Sequence, residues 1–132
     1  MVRRFPRFLP AILGSRTFAP RREDARALIC NASPRSVLDE YAAQVVADSG
    51  TVARQIMLGS VSVDPADVRC PVLVVGTDED RISPLSVQPK LARRYGAELL
   101  PFPGLDHLHM VGPDWQGPAD AVLVWAEGLP GL

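Results

Sequence analysis

At 132 residues the chain suits one domain with a modest core. With 47% apolar and 22% charged residues, its composition is that of a globular domain rather than a disordered segment. The formal net charge of −1 gives no global attraction to nucleic acid or to an anionic membrane. No apolar run approaches the roughly 20 residues that span a bilayer. Seven of the arginines fall before Ala27, and this basic start reads as a solvated face. The apolar run from Phe8 to Gly14 is short, broken by Pro10 and followed by Arg16 without a small-x-small cleavage site, so it does not read as a signal peptide. A cytoplasmic protein is the expectation. Cys30 and Cys70 make neither a disulfide framework nor a C-x-x-C pair, and both read as buried thiols.

The chain divides near Ser60 to Asp67. Before that point it reads as three short helices with no strand between them. Glu23 and Asp24 suit the positive end of a helix running through about Asn31. Ser33-Pro34 reads as an N-cap followed by proline at the first helical position. Val37, Leu38, Tyr41, Ala42, Val45 and Val46 then recur at helical spacing and predict a buried face. A third helix carries Val52, Ile56 and Met57 and stops at Gly59. Such a set has little core of its own, so residues 1–63 are expected to form a lid packed on something else. Tyr41, Met57 and Leu58 could line an apolar pocket beneath it or pack in a core.

Beyond the division the pattern alternates. Val72 to Val75 is a β-branched apolar run, as in a strand covered on both faces. Ser83-Pro84 reads as a second helix cap, with Leu85, Val87, Leu91, Ala92 and Tyr95 inside and Gly96 as the stop. Glu98 to Phe102 forms the next strand. After a long loop, a helix from about Trp115 to Glu127 is expected to cover the sheet through Ala121, Val122, Val124 and Trp125, with both tryptophans in the core. Strand, helix and strand in succession make a right-handed parallel crossover. Residues 64–132 are thus expected to form a β-α-β-α unit with parallel strands.

Two loops carry chemistry. Asp80 follows the first strand, in Gly-Thr-Asp-Glu-Asp-Arg-Ile-Ser-Pro, and His107 follows the second, in Pro-Gly-Leu-Asp-His. In an open parallel sheet the loops at the carboxyl ends of the strands form the functional edge, so the two side chains are expected side by side. A carboxylate beside a histidine fixes its tautomer and stabilises the imidazolium, which is the chemistry of activating a hydroxyl or thiol. His109 is the competing histidine and reads as a pocket or packing residue. His107, His109 and Asp106 lack a further ligand in matching context, so no metal site is expected, and no cofactor.

From Asp64 to Gly128 these motifs resemble the C-terminal part of the α/β-hydrolase family. The run Pro-Val-Leu-Val-Val-Gly-Thr-Asp-Glu-Asp-Arg-Ile-Ser-Pro is similar to the family's acid strand and loop and maps its acid onto Asp80. Pro-Gly-Leu-Asp-His is similar to the histidine loop and maps the base onto His107. Pro113-Asp-Trp115 before a helix matches members of the family, and the helical segment resembles, more loosely, the cap ahead of the acid strand. Asp106 stands where glycine is common, tightening the loop or adding a charge near His107, and Thr77 stands where many relatives have glycine.

The resemblance implies a partial α/β-hydrolase fold and hydrolysis of an ester or related acyl bond of a small molecule, with Asp80 orienting His107. The family's G-x-S-x-G elbow is absent. Gly59-Ser-Val-Ser-Val63 fails in spacing and has no preceding strand; Ser15, Ser33 and Ser83 read as turn or cap residues. The expectation is therefore the C-terminal half of a cap-bearing hydrolase, active when a complementary chain supplies the nucleophile. The alternative is a catalytically inactive truncated fragment serving as a binding module or homodimer. Neither nucleic acid nor membrane is expected as a partner.

Overall fold

The computed structural model describes residues 7–130, a mixed α/β arrangement of six α-helices and one two-stranded parallel sheet. Four helices precede the sheet where sequence periodicity shows three: α1 (Leu9–Leu13), α2 (Arg22–Leu28), α3 (Arg35–Gln44) and α4 (Gly50–Met57). α1 packs on α4 and α2 on α3. The first pair touches closely because Gly50 has no side chain: a Cβ there would overlap the carbonyl oxygens of Arg16 and Ala11. α2 starts at Arg22 because Asp24 reaches back to the Arg21 amide at 2.9 Å, satisfying one of the donors that a helix start leaves open.

The expected buried face of α3 is partly found. Leu38 is buried, and Val37 and Tyr41 pack with it against Ala25, Cys30 and Leu108. Val46 is 78% exposed, because the helix ends at Gln44 and the helical spacing no longer governs where it points. In α4, Val52, Ile56 and Met57 are all exposed, as is Leu58 beyond it, so Met57 and Leu58 belong to no closed pocket. The core that does exist joins α2 and α3 to Leu108 in the histidine loop, so the helical segment packs directly on the unit that follows it.

A 3₁₀ turn (Pro65–Asp67) leads to β1 (Leu73–Thr77), which pairs in parallel with β2 (Glu98–Phe102) in the register Leu73 with Glu98 and Thr77 with Phe102. Between them α5 (Gln88–Tyr95) rests on both strands and ends at Gly96, whose φ of +59° explains glycine there. α5 begins later than the Ser83-Pro84 signal indicates. Leu85 and Val87 precede it and are exposed, while Pro89 occupies its first turn.

α6 (Gln116–Glu127) overturns the expectation of a covering layer: it makes no extended contact with either strand, and Val122, Leu123 and Val124 face solvent. Trp115 is likewise 44% exposed rather than core. β1, read as covered on both faces, buries Val74 but only half-buries Leu73 and Val75. Cys30 is buried as expected; Cys70, just ahead of β1, is exposed.

Candidate functional site

Parallel pairing of β1 and β2 brings their two following loops together. Asp80 and His107, 27 residues apart in sequence, meet there, with His107 Nδ1 3.0 Å from Asp80 Oδ2. The other carboxylate oxygen, Oδ1, accepts the backbone amides of Ile82 at 2.7 Å and Ser83 at 2.8 Å. Those bonds form because Asp80 opens a tight turn, in which a short acidic side chain reaches amides two and three residues on. Asp80 is therefore pinned by its own turn and presents its remaining oxygen to the imidazole.

Burial acts first on this carboxyl, raising its pKa. The hydrogen bonds from His107, Ser83 and Ile82, together with the electrostatic attraction of the His107 ring, outweigh that and hold it below the ordinary aspartate value. Asp80 is thus an anion at neutral pH, and the acceptor that the imidazole needs. With Nδ1–H donating to it, His107 presents Nε2 as the free basic nitrogen. The imidazole is part-exposed, and among the described residues no hydroxyl or thiol is hydrogen-bonded to it.

Three groups outside the Asp80–His107 pair hold these loops. The first is Asp106, 2% exposed. Its Oδ2 accepts Ala32 N at 2.9 Å, Ser33 N at 2.7 Å and Ser33 Oγ at 2.8 Å, and its Oδ1 accepts Leu108 N at 3.0 Å. Of the two readings of Asp106, tightening the loop is the one the geometry carries. Ser33 caps nothing; the residue before α3 is Pro34, without a side-chain cap bond, and the Ser33 hydroxyl belongs to Asp106.

The second is the end of α2 with the turn that follows it, which touches the acid loop on both sides of Asp80. Asn31 Nδ2 donates to the Glu79 carbonyl at 3.0 Å, and Arg81 donates to the Ala27 carbonyl at 2.9 Å. The third is Gln88 in α5, 3% exposed. Its Nε2 donates to the carbonyls of Thr77 at 2.9 Å and Ser83 at 2.8 Å, closing the acid loop across its mouth. Gly76 makes room for that side chain, since a Cβ there would overlap Gln88 Oε1. A glycine inside a strand is the signal that could have pointed to such a close approach.

The remaining expectations fall as follows. His109 sits beside Asp106, with Nδ1 3.3 Å from the Asp106 carbonyl, and helps line a small cavity with Ser33 and Gly112. Among the described residues no group of three metal-binding side chains converges, and no helix is long and apolar enough to cross a membrane. No protein-family model matches the chain, and no curated protein matches it.

Proposed function

We propose that this chain is the C-terminal part of an α/β-hydrolase-type enzyme, carrying the cap segment, the acid Asp80 and the base His107. Its chemistry would be hydrolysis of an ester or related acyl bond of a small molecule, with a nucleophile supplied by a complementary chain. The observation that supports this reading best is the 3.0 Å contact between His107 Nδ1 and Asp80 Oδ2 at the carboxyl ends of adjacent parallel strands. In that arrangement Nε2 takes the proton of an attacking hydroxyl and later returns it to the leaving group. Asp80 stays ionised and stabilises the imidazolium between those steps. The substrate is defined only by class, since one such fold hosts many reactions.

The test is hydrolysis of p-nitrophenyl butyrate by the chain alone and by the chain co-expressed with the polypeptide encoded directly upstream of Met1. Turnover is expected only from the pair, and is expected to vanish in His107→Ala and fall by a factor on the order of 10⁴ in Asp80→Asn. A stable pair without turnover, or turnover indifferent to His107→Ala, would overturn the proposal. Turnover by the chain alone would remove the need for a second chain. The open edge of β1 supports one other reading, a noncatalytic binding or dimerisation module.

A further inference from the structure

α2 ends at Leu28 with no glycine to turn the chain, and the turn that follows is closed by Arg26 instead. One guanidinium nitrogen, Nη1, donates to the Cys30 carbonyl at 2.9 Å and to the Ser33 carbonyl at 2.7 Å. Both bonds run from a charged donor, which makes them the stronger kind. They bracket Asn31, Ala32 and Ser33, and these residues are the ones that reach the two reactive loops. Asn31 Nδ2 donates to the Glu79 carbonyl at 3.0 Å, which belongs to the peptide joining Glu79 to Asp80. Ala32 N, Ser33 N and Ser33 Oγ fix Asp106 Oδ2, and Asp106 Oδ1 accepts Leu108 N at 3.0 Å. That last amide belongs to the peptide joining His107 to Leu108.

The turn therefore governs the peptide directly before the acid and the peptide directly after the base. Cross-links between the two loops themselves are of two kinds. Glu79 N to the Leu105 carbonyl at 3.1 Å and Gly104 N to Asp78 Oδ1 at 2.7 Å lie farther back toward the strands. Thr77 Oγ1 to the Asp106 carbonyl is long, at 3.5 Å. We infer that Arg26 is a positioning residue for the Asp80–His107 pair, closing the turn that holds the acid loop and the histidine loop in one relative placement. Arg26 is exposed and is hydrogen-bonded to neither partner of the pair, so it acts only through the turn. A hydrogen bond between side chains on separate loops weakens steeply with misalignment, which is why a turn that spans both loops matters to it. The inference rests on the reading of Asp80 and His107 as acid and base, and adds which residue of the helical segment sets their alignment.

The reporter is the tautomer of His107, read as the ratio of Nδ1–H to Nε2–H in nitrogen–proton correlation spectra of the full chain at pH 8. Nδ1–H is the form that Asp80 selects. Arg26→Met keeps an unbranched side chain of good helix propensity but removes the donors. It is expected to lower the ratio about threefold, the equivalent of one hydrogen bond partly lost. Arg26→Lys should restore most of the ratio, because a single nitrogen makes both bonds and an ammonium has donors enough for two carbonyls. Arg22→Met is the control: it breaks an ion pair with Asp39 in the same helix and should leave the ratio unchanged. Should Arg26→Met unfold, Asn31→Ala removes the acid-loop arm alone and is expected to shift the ratio in the same direction. An unchanged ratio in the folded variant, a lysine that restores nothing, or an equal change in Arg22→Met would each overturn the inference. The functional reading fails separately, through absent ester turnover by the co-expressed pair while the tautomer still responds to Arg26.

Discussion

Ser33 gives both its backbone N–H and its hydroxyl to one oxygen of Asp106, at 2.7 and 2.8 Å, across 73 residues of sequence. Because Asp106 directly precedes His107, this contact ties the helical segment to the loop that carries the imidazole. Asp106 also takes the amides of Ala32 and Leu108, so one side chain satisfies three backbone donors.

Removing it leaves those donors without partners in a part-buried place, which costs more than the bonds themselves contribute. Asp106→Ala is expected to lower the stability by about 3 kcal/mol in urea titration, and Asp106→Asn by about half as much, since the amide keeps an acceptor oxygen. Ser33→Ala removes a single bond and should cost about 1 kcal/mol. A change below about 0.5 kcal/mol for Asp106→Ala would show that the contact is absent in solution.

The loops were legible because their signals are local. Asp80 announces itself through a turn that its own side chain closes, and His107 through its place after the second strand. Asp106 was readable as a residue that tightens its loop, but its partner Ser33 was not, nor were Asn31 to Glu79 and Gln88 to Thr77, since these are contacts between distant or separately coded elements. The helical face of α3 was readable up to Leu38 and Tyr41 but not at Val46, because nothing in the apolar spacing marks Gln44 as the end. Apolar spacing in α6 was read as a buried face, yet spacing states only that a face exists. It does not say what is present to cover Val122 and Val124.

The pH dependence of stability follows from Asp80, whose carboxyl is held below its ordinary value in the folded chain by its hydrogen bonds from His107, Ser83 and Ile82, against the opposing effect of burial. A depressed carboxyl stabilises the fold fully above its unfolded value, about 3.9, and loses that contribution as pH falls through the lower folded value. Stability is therefore expected to decline below about pH 4, with the decline continuing past the pH at which a free aspartate is protonated. Asp80→Asn should flatten that part of the curve. An unchanged acid limb in the variant would show that other carboxylates carry it.

Thiol chemistry should separate the two cysteines. Burial pushes the Cys30 thiol up to about 11, the nearby Asp106 charge adds to this, and Arg26 opposes it. A thiol in that state is neither accessible nor ionised near neutral pH, whereas Cys70 is exposed. In the native chain at pH 8, Ellman's reagent should therefore titrate one thiol quickly, and the second only after denaturant is added. The fast signal should disappear in Cys70→Ser. Two thiols reacting at equal rates in the native state would contradict the burial of Cys30 beneath α3.

Gly76 and Gln88 should behave as one unit. A methyl group at position 76 would overlap Gln88 Oε1 and approach Leu99 Cδ1 to 3.1 Å, forcing the amide away from the Thr77 and Ser83 carbonyls. Overpacking of this kind costs about 2 kcal/mol, and Gln88→Ala should cost a similar amount by freeing two part-buried acceptors. The double variant should cost less than the sum by about 1 kcal/mol or more, because once Gln88 is shortened the new methyl has room. The same cycle bears on the site, since Gln88 closes the loop that presents Asp80. The chemical shift of the His107 ring protons should move in Gln88→Ala and stay in place for a surface change such as Lys90→Ala. Strict additivity in the cycle would mean that the strand and the loop are held independently of this side chain.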